Sequence, residues 1–485
     1  MNQRDKRKTI FWSLIIFCAL VVLGAAVFFV YNWAQQIKVT DVVRNEAVQN
    51  QIKKRVSKEN RFFLSLVPTF LGFDEPKTFL VMFLNNTELR PGGGFIGSYA
   101  TLRVSEGRIK VLQLRGVEKL DSQTPKSWKP EPPELIKDKL KVDRWYFRDS
   151  NWSPDFKKNA QRGLKFYSKE GGTAAEEIDF VAAITTQVLK EVVRIVGPIE
   201  VEGLKFNADN VVEKLQYEVS YGFKDRGLSF RDRKQIMKPF FQKLTKKIQA
   251  NLFKEYKNYL KLARRMLEEK HVVVFAQDNK LQKKLAQKGF TGQLKQTSGD
   301  FLMWVDANLA ALKTDHAIDR SLNYKIDRKG DQFVATASMT YKHTGEYDWR
   351  TSKYITFARV YTPKGSKLLS AQEDGEDIDR GKIRRGREIQ KQWFGHLTTL
   401  EPGQAKTLSF DYTLPKRVAN KIKNGSYKLI AQKQIGTIKP KLTLELEFGK
   451  NITNASPSEL KKYWGNDKYT ISTNLRTDRQ FKVKF

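Results

Sequence analysis

No charged residue interrupts the apolar run Ile10–Tyr31. At 1.5 Å per residue, a helix of that length crosses a hydrocarbon core of ~30 Å. The run continues through Gly24-Ala25-Ala26 into Val27–Tyr31, unlike the short apolar region and cleavage site of a signal peptide. Tyr31 and Trp33 supply an interfacial aromatic belt. The pattern predicts an uncleaved transmembrane anchor within residues 1–37. Apolar residues then recur at helical spacing (Ile37, Val39, Val42, Val43, Val48, Ile52, Val56), predicting a stalk helix over 38–75 closed by Pro68 and Gly72.

From Pro76 the period changes. Thr78–Leu84 is continuously apolar, the mark of a strand buried on both faces. Phe95–Val104 and Arg108–Leu114 read as further strands, with a hairpin-like turn at Glu106-Gly107. Asp155–Lys169 reads as a helix, Ile178–Ile184 as a strand, and Thr186–Val196 as a helix ended by Gly197-Pro198. Residues 207–269 are mostly helical and heavily basic; His271–Ala276 returns as a strand and Lys280–Lys288 as a helix. This alternation predicts an α/β domain over 76–318, with a helix on each face of its sheet. Beyond 319 the runs are short and alternating (Phe333–Tyr341, Tyr354–Tyr361, Ala405–Tyr412, Tyr427–Gln434, Leu442–Phe448), which predicts a β-sandwich of five to eight strands over 319–485. The doubly charged stretch Asp374–Arg387 reads as a solvated loop.

Charge changes this picture. Lys and Arg number 88 against 53 Asp and Glu, a net +35 over 485 residues. Such a surplus ordinarily points to nucleic acid. The short basic tail (Arg4, Lys6, Arg7 and Lys8 against Asp5) instead places the N-terminus in the cytoplasm and the rest of the chain outside the plasma membrane. Nearly all the surplus then faces the envelope, where the abundant polyanions are lipid headgroups and anionic polymers. Nucleic acid becomes the minority reading. The single cysteine, Cys18, lies in the apolar run, which excludes a disulfide scaffold and any multi-cysteine metal site. His271, His316, His343 and His396 stand apart, without metal-ligand spacing or a nucleophile-elbow serine.

Two segments are dense in candidate chemistry. Asn85–Phe95 (NNTELRPGGGF) follows a buried strand, at the place where open α/β sheets hold ligands. The backbone of Gly92, Gly93 and Gly94 suits an anion nest, and Arg90 offers a planar fork for phosphate or carboxylate, with Asn86 and Glu88 nearby. The other reading of this segment is a strand-to-strand turn in which Glu88 pairs with Arg90. In Arg148–Phe156 (RDSNWSPDF), Arg148 and Asp149 stand ahead of a helix start, and Asp149 with Asp155 suits one Mg²⁺ held partly through water. The other reading is a helix cap, formed by Ser153 or Asp155, over a buried Trp152. The basic helices before Lys270 suit either a solvated face or contact with anionic lipid or polymer. Tyr341–Trp349 suits either sandwich core or stacking on sugar.

These residues carry a resemblance. The blocks Asn85–Leu102, Arg148–Phe156, Ile178–Val201, Trp304–Tyr324 and Tyr427–Thr437 resemble those of the bacterial and archaeal family called domain of unknown function 4012, which implies no established activity. The order of Arg90, Arg148-Asp149, helix, strand and helix ending in Gly-Pro is more distantly similar to LytR–CpsA–Psr proteins. Those are membrane-anchored phosphotransferases that move envelope glycopolymers from a polyprenyl pyrophosphate carrier. That resemblance implies an α/β domain of their type, pyrophosphate held by Arg90 and Arg148, and Mg²⁺ held by Asp149 or Asp155. The Gly-Gly-Gly turn and Asn85-Asn86 depart from that family's pattern. Two function classes follow: an envelope phosphotransferase acting on a lipid-linked sugar polymer, and a non-catalytic surface module that binds anionic polymer or lipid headgroups.

Overall fold

The apolar run after Pro76 forms a strand, β1 (Lys77–Asn85), at the centre of the first of two units. The structure is a computed structural model that describes residues 58–485 apart from 230, 231 and 234. The predicted anchor and residues 38–57 of the stalk lie outside the described residues. Among the described residues no helix is long and apolar enough to cross a membrane. The rest of the stalk is helix α1 (Lys58–Phe70), which takes Pro68 inside its last turn.

The first unit comprises residues up to Leu84 together with Ile96–Trp128 and Ala160–Thr291. With β2 (Phe95–Ser105), β3 (Arg108–Gly116), β4 (Phe180–Thr185) and β7 (Val272–Ala276), β1 makes a five-stranded sheet in the order β3-β2-β1-β4-β7. A separate small hairpin pairs β5 (Ile199–Val201) with β6 (Leu204–Phe206). Strand β4 runs parallel to β1 and antiparallel to β7, so the sheet is mixed. Every residue of β4 and β7 is buried, as a strand covered on both faces requires.

Helices supply the cover. On one face, Val188, Val192, Val193 and Val196 of helix α3 (Thr186–Val196) join Phe79, Val81, Ala182 and Val274 in one core. Each such buried valine contributes ~1.5–3 kcal/mol. On the other face Tyr167 of helix α2 (Phe156–Lys169) meets Tyr99 edge-on and bonds to Thr101 Oγ1 at 2.6 Å. The basic region 207–269 is dominated by the 32-residue helix α4 (Met237–Glu268), and α5 (Asn279–Gln287) follows β7.

The second unit comprises Asn85–Phe95, Lys129–Asn159 and Gly292–Phe485. Its longest segment therefore starts at Gly292 rather than 319, and it takes in two earlier segments expected within the α/β domain. Strand β8 (Asp300–Val305) explains the shift, because it pairs with β11 (Tyr354–Pro363) and β17 (Ser426–Ala431) of this unit. There are fourteen strands here among the described residues, not five to eight. One seven-stranded sheet holds β9 (Ile318–Lys329), β10 (Gln332–His343), β12 (Lys367–Glu373), β13 (Glu376–Asp377), β16 (Ala405–Thr413), β18 (Lys441–Glu447) and β20 (Lys468–Asn474). The other holds β8, β11 and β17 with β14 (Arg384–Glu388), β15 (Lys391–Leu400), β19 (Asn454–Ser456) and β21 (Arg479–Lys484). The segment Asp374–Arg387, expected as a solvated loop, instead contributes β13 and most of β14.

The two sheets share one core, to which β9 contributes Leu322, Tyr324 and Ile326 and β11 contributes Ala358 and Val360. Strand β18 alternates buried and part-exposed positions along its length, as expected of a strand with one face on a core. Strand β11 is buried at nearly every position, so its outward face is covered as well.

Candidate functional site

Asn85–Phe95 belongs to the second unit, and its polar groups are spent on that unit's own residues. Arg90 is only 1% exposed. Its Nε donates to Asp149 Oδ1 at 3.2 Å, Nη1 to the carbonyls of Asn308 (2.8 Å) and Leu89 (3.3 Å), and Nη2 to Glu88 Oε1 at 3.0 Å. The guanidinium also lies 5.5 Å from the centre of the Phe95 ring. Burial pushes the Glu88 carboxyl above its usual range, against the pull of Arg90. Of the two readings of this segment, the turn with Glu88 paired to Arg90 is the arrangement present.

The three glycines are buried, and the nest expected of them does not form. Gly92 N–H donates to the Asn151 carbonyl at 2.9 Å and Gly93 N–H to the Arg90 carbonyl at 2.8 Å. Asn151 Nδ2 in turn donates to the Gly94 carbonyl at 2.7 Å, and Asn86 Nδ2 to the Gly436 carbonyl at 3.0 Å. Gly92 is there because its neighbours leave no room: a Cβ would sit 2.3 Å from Asn159 Nδ2 and 2.8 Å from the Asn151 carbonyl oxygen. Gly92→Ala should therefore cost about 1–3 kcal/mol by overpacking, read as a drop in melting temperature.

Arg148, Asp149 and Arg90 come together, but Asp155 does not join them. Asp149 is buried, with Arg148 Nε 3.5 Å from its second oxygen. Arg148 also stacks over Tyr146, 4.8 Å from its ring centre. Asp155 caps α2 by accepting the Lys158 N–H on Oδ1 at 3.0 Å, while Oδ2 accepts the Leu294 N–H at 2.8 Å. Burial raises its carboxyl above the usual range against those two bonds. Magnesium does not fit this pair as it stands, since Asp149 is turned to two guanidiniums and both oxygens of Asp155 hold backbone N–H groups. Among the described residues no group of three or more His, Cys, Asp or Glu is placed to hold a metal. Ser153 accepts the Asp155 N–H at 3.1 Å, and Trp152 is half-buried.

A second buried cluster escaped the sequence reading. Arg320 Nε donates to Asp306 Oδ2 at 2.7 Å, and its Nη2 reaches Asp315 and the Tyr354 hydroxyl. Tyr341 donates to Asp306 Oδ1 at 2.6 Å and accepts Trp304 Nε1 at 2.7 Å, which makes it core rather than a stacking platform; Tyr347, by contrast, is 65% exposed. Asp315 Oδ2 accepts Leu89 N–H and Asn308 Nδ2, both at 2.9 Å, tying this cluster to the Arg90 segment. Gln434 Nε2 donates to the Asp306 carbonyl at 2.8 Å and the Arg90 carbonyl at 3.2 Å. The cavity beside Asp306 and Arg320 is about 10 Å³, room for one water at most. The available signal was charge inside an apolar stretch: WVDANLAALKTDHAIDR places Asp306, Asp315 and Arg320 among residues that otherwise read as core.

The first unit presents a different feature. At 3.6 residues per turn, Lys243, Lys246, Lys247, Lys254, Lys257, Lys261 and Arg264 of α4 fall within an arc of roughly 100°. The opposite side is buried in the core through Leu244, Ile248, Leu252, Tyr259, Leu262 and Met266. All six lysines are exposed. Lys243 donates to the Glu200 carbonyl at 2.6 Å and Lys247 to the Val196 carbonyl at 3.4 Å. Of the two carboxylates within α4, Glu268 is paired with Arg264 and Glu255 accepts from Asn258. The stripe is a one-sided row of cations about 30 Å long.

No curated protein matches the sequence. Solved structures offer only slight likenesses. A candidate nutrient-binding protein of Legionella pneumophila is 10% identical with a TM-score of 0.27, covering 38% of this chain and 71% of its own. Leukotriene A4 hydrolase of Saccharomyces cerevisiae is 9% identical with a TM-score of 0.22, covering 35% of this chain and 29% of its own. Aminopeptidase A of Legionella pneumophila is 8% identical with a TM-score of 0.19, covering 35% and 21%. TM-scores of this size carry no argument about fold or function. The sequence itself is more informative. The blocks at Asn85, Arg148 and Ile178 lie within a family match, those at Trp304 and Tyr427 lie beyond it, and the LytR–CpsA–Psr resemblance is not part of it. Residues 74–220, from the approach to β1 through α3 and the β5–β6 hairpin, match the family described as protein of unknown function (DUF4012).

Proposed function

We propose that this is a single-pass, plasma-membrane-anchored extracytoplasmic protein of the cell envelope that binds anionic polymer or lipid headgroups without group transfer. The lysine stripe of α4 carries the reading. Among the described residues, Lys246, Lys254, Lys257 and Lys261 are exposed without an ion pair, on a helix fixed by its apolar face. Rigid rows of unpaired cations attract extended polyanions by releasing their counterions. Group transfer needs Arg90 and Asp149 open to a pyrophosphate and a metal, and both are buried against each other.

Each basic residue close to an anionic surface contributes ~1 kcal/mol. Replacing Lys246, Lys254, Lys257 and Lys261 with Gln in the full chain should therefore weaken binding to soluble polyphosphate, or to phosphatidylglycerol vesicles, on the order of 10²–10³-fold at low salt. Binding of the unaltered protein should fall steeply as salt rises. Affinity indifferent to salt, or unchanged in the fourfold variant, sinks the reading.

A further inference from the structure

We infer that the aromatic box around Arg359, on the outward face of β11, is a binding site for a sugar ring that carries an oxyanion. It lies in the second unit and does not depend on the lysine stripe. Arg359 is only 4% exposed, and its guanidinium carbon lies 5.4–5.6 Å from the ring centres of Trp152, Phe357, Tyr361 and Trp393. Nη1 donates to the Tyr361 hydroxyl at 3.1 Å. Nε and Nη2 are buried with no hydrogen-bond acceptor. Those two nitrogens form one edge of the guanidinium, the edge that takes a carboxylate or phosphate through two parallel bonds.

Four aromatic faces offset the charge of a buried cation, yet they do not replace the directional acceptors that two N–H groups demand. A buried donor pair of this kind gains most from an acceptor brought to it by a ligand. The surroundings are built around the arginine. Gly395, its partner on β15, would press a Cβ to 2.7 Å from Arg359 Cγ, and a Cβ on Gly386 would lie 2.4 Å from the Trp393 ring.

The other charges nearby are already spoken for. Glu388 accepts Ser153 Oγ at 2.6 Å and Lys158 Nζ at 2.9 Å on one oxygen, and the Tyr361 hydroxyl at 2.9 Å on the other. Arg384 is held in a two-bond pair with Glu134 at 2.6 and 2.8 Å. Lys158 and Arg359 are the two cations that act on Glu388 and hold its carboxyl below the usual range against burial. Of the four rings, only the indoles of Trp152 and Trp393 are part-buried rather than buried, and an indole is a surface on which a pyranose ring can stack. Entry requires one of them to turn aside, so binding perturbs tryptophan fluorescence directly.

The test titrates the full chain, in nanodiscs, with glucuronate, glucose 6-phosphate, glucose and inorganic phosphate, followed by tryptophan fluorescence and calorimetry. Glucuronate or glucose 6-phosphate should bind saturably and roughly tenfold or more tighter than glucose or inorganic phosphate, because only they use both the fork and the indoles. The tighter of the two acids identifies the oxyanion. Arg359→Met should reduce acid-sugar affinity by about tenfold or more while leaving any weak glucose binding in place. Should that variant fail to fold, Trp393→Phe keeps apolar bulk and should still cost roughly threefold or more by removing an indole wall. No saturable binding of either acid sugar overturns the inference. So does glucose or inorganic phosphate binding as tightly as the acids, or unchanged acid-sugar affinity in whichever of the two variants folds.

Discussion

Exchange of Arg90 for methionine is expected to destabilise the second unit by about 3–5 kcal/mol, the usual cost of removing one partner from a buried ion pair. The size follows from what Arg90 leaves behind. Glu88 and Asp149 would keep their positions without the guanidinium between them, and the Leu89 and Asn308 carbonyls would lose their donor. A triple variant, Arg90→Met with Glu88→Gln and Asp149→Asn, removes the stranded charges as well and should recover part of the loss. Urea unfolding measures both. An arginine free to clamp a ligand would be nearly silent in the same assay, within about 0.5 kcal/mol. That silence would remove the account of Arg90 as a buried tie.

The second large effect is pH dependence at Asp300. This carboxylate lies in β8 with no exposure, and accepts the hydroxyls of Tyr324 and Tyr427 on one oxygen, each at 2.6 Å. Burial pushes its pKa up to about 6, against the pull of those bonds. Below the unfolded value near 3.8 both states hold the proton and nothing is lost. As pH climbs from there to about 6, the unfolded chain releases its proton while the folded one keeps it. Stability therefore falls through that window, by about 3 kcal/mol at most. Asp300→Asn cannot titrate, so the difference in stability between it and the unaltered protein should vary by about 2 kcal/mol between pH 4 and pH 6.5, measured by urea unfolding. A difference flat across that range would refute the buried-acid account. Using the difference removes the contributions of Glu88 and Asp155, whose carboxyls burial also raises.

Much of the first unit was legible because its elements are periodic and local. β1, β2 and β3 start and stop within one or two residues of where hydrophobic runs and turn residues place them. Helix α3 follows from its valines and its Gly-Pro stop. Asp155 capping α2 was one of two readings that its position ahead of Phe156 allowed. The second unit was less legible for an equally physical reason. β14, RRGRE, has no apolar residue at all and is a strand only because β15 pairs with its backbone. β9, with its apolar residues set among charges, likewise takes its place from β10 and β18.

The candidate site shows the same divide. The density of chemistry at Asn85–Phe95 was visible, and so was the possibility that Glu88 pairs with Arg90. Which reading holds depended on Asn308, 218 positions away, whose carbonyl completes the arginine's shell. The triglycine looked like an anion nest because glycine permits a close approach of anything, and what approaches is Asn151 and Asn159. The Arg359 box draws on Trp152, Phe357, Tyr361 and Trp393, which no local pattern joins.

The sequence by itself determined the family match over 74–220, most strands and helices of the first unit, and the basic character of α4, since each rests on residues near one another in the chain. Only the tertiary structure decided which charges are spent and which are free. Arg90, Asp149 and Asp155 are consumed by partners brought from far along the chain, whereas among the described residues Lys246, Lys254, Lys257 and Lys261 of α4 stand exposed without an ion pair and the Nε–Nη2 edge of Arg359 has no acceptor. Burial and pairing are properties of the folded neighbourhood, and a linear pattern does not contain them.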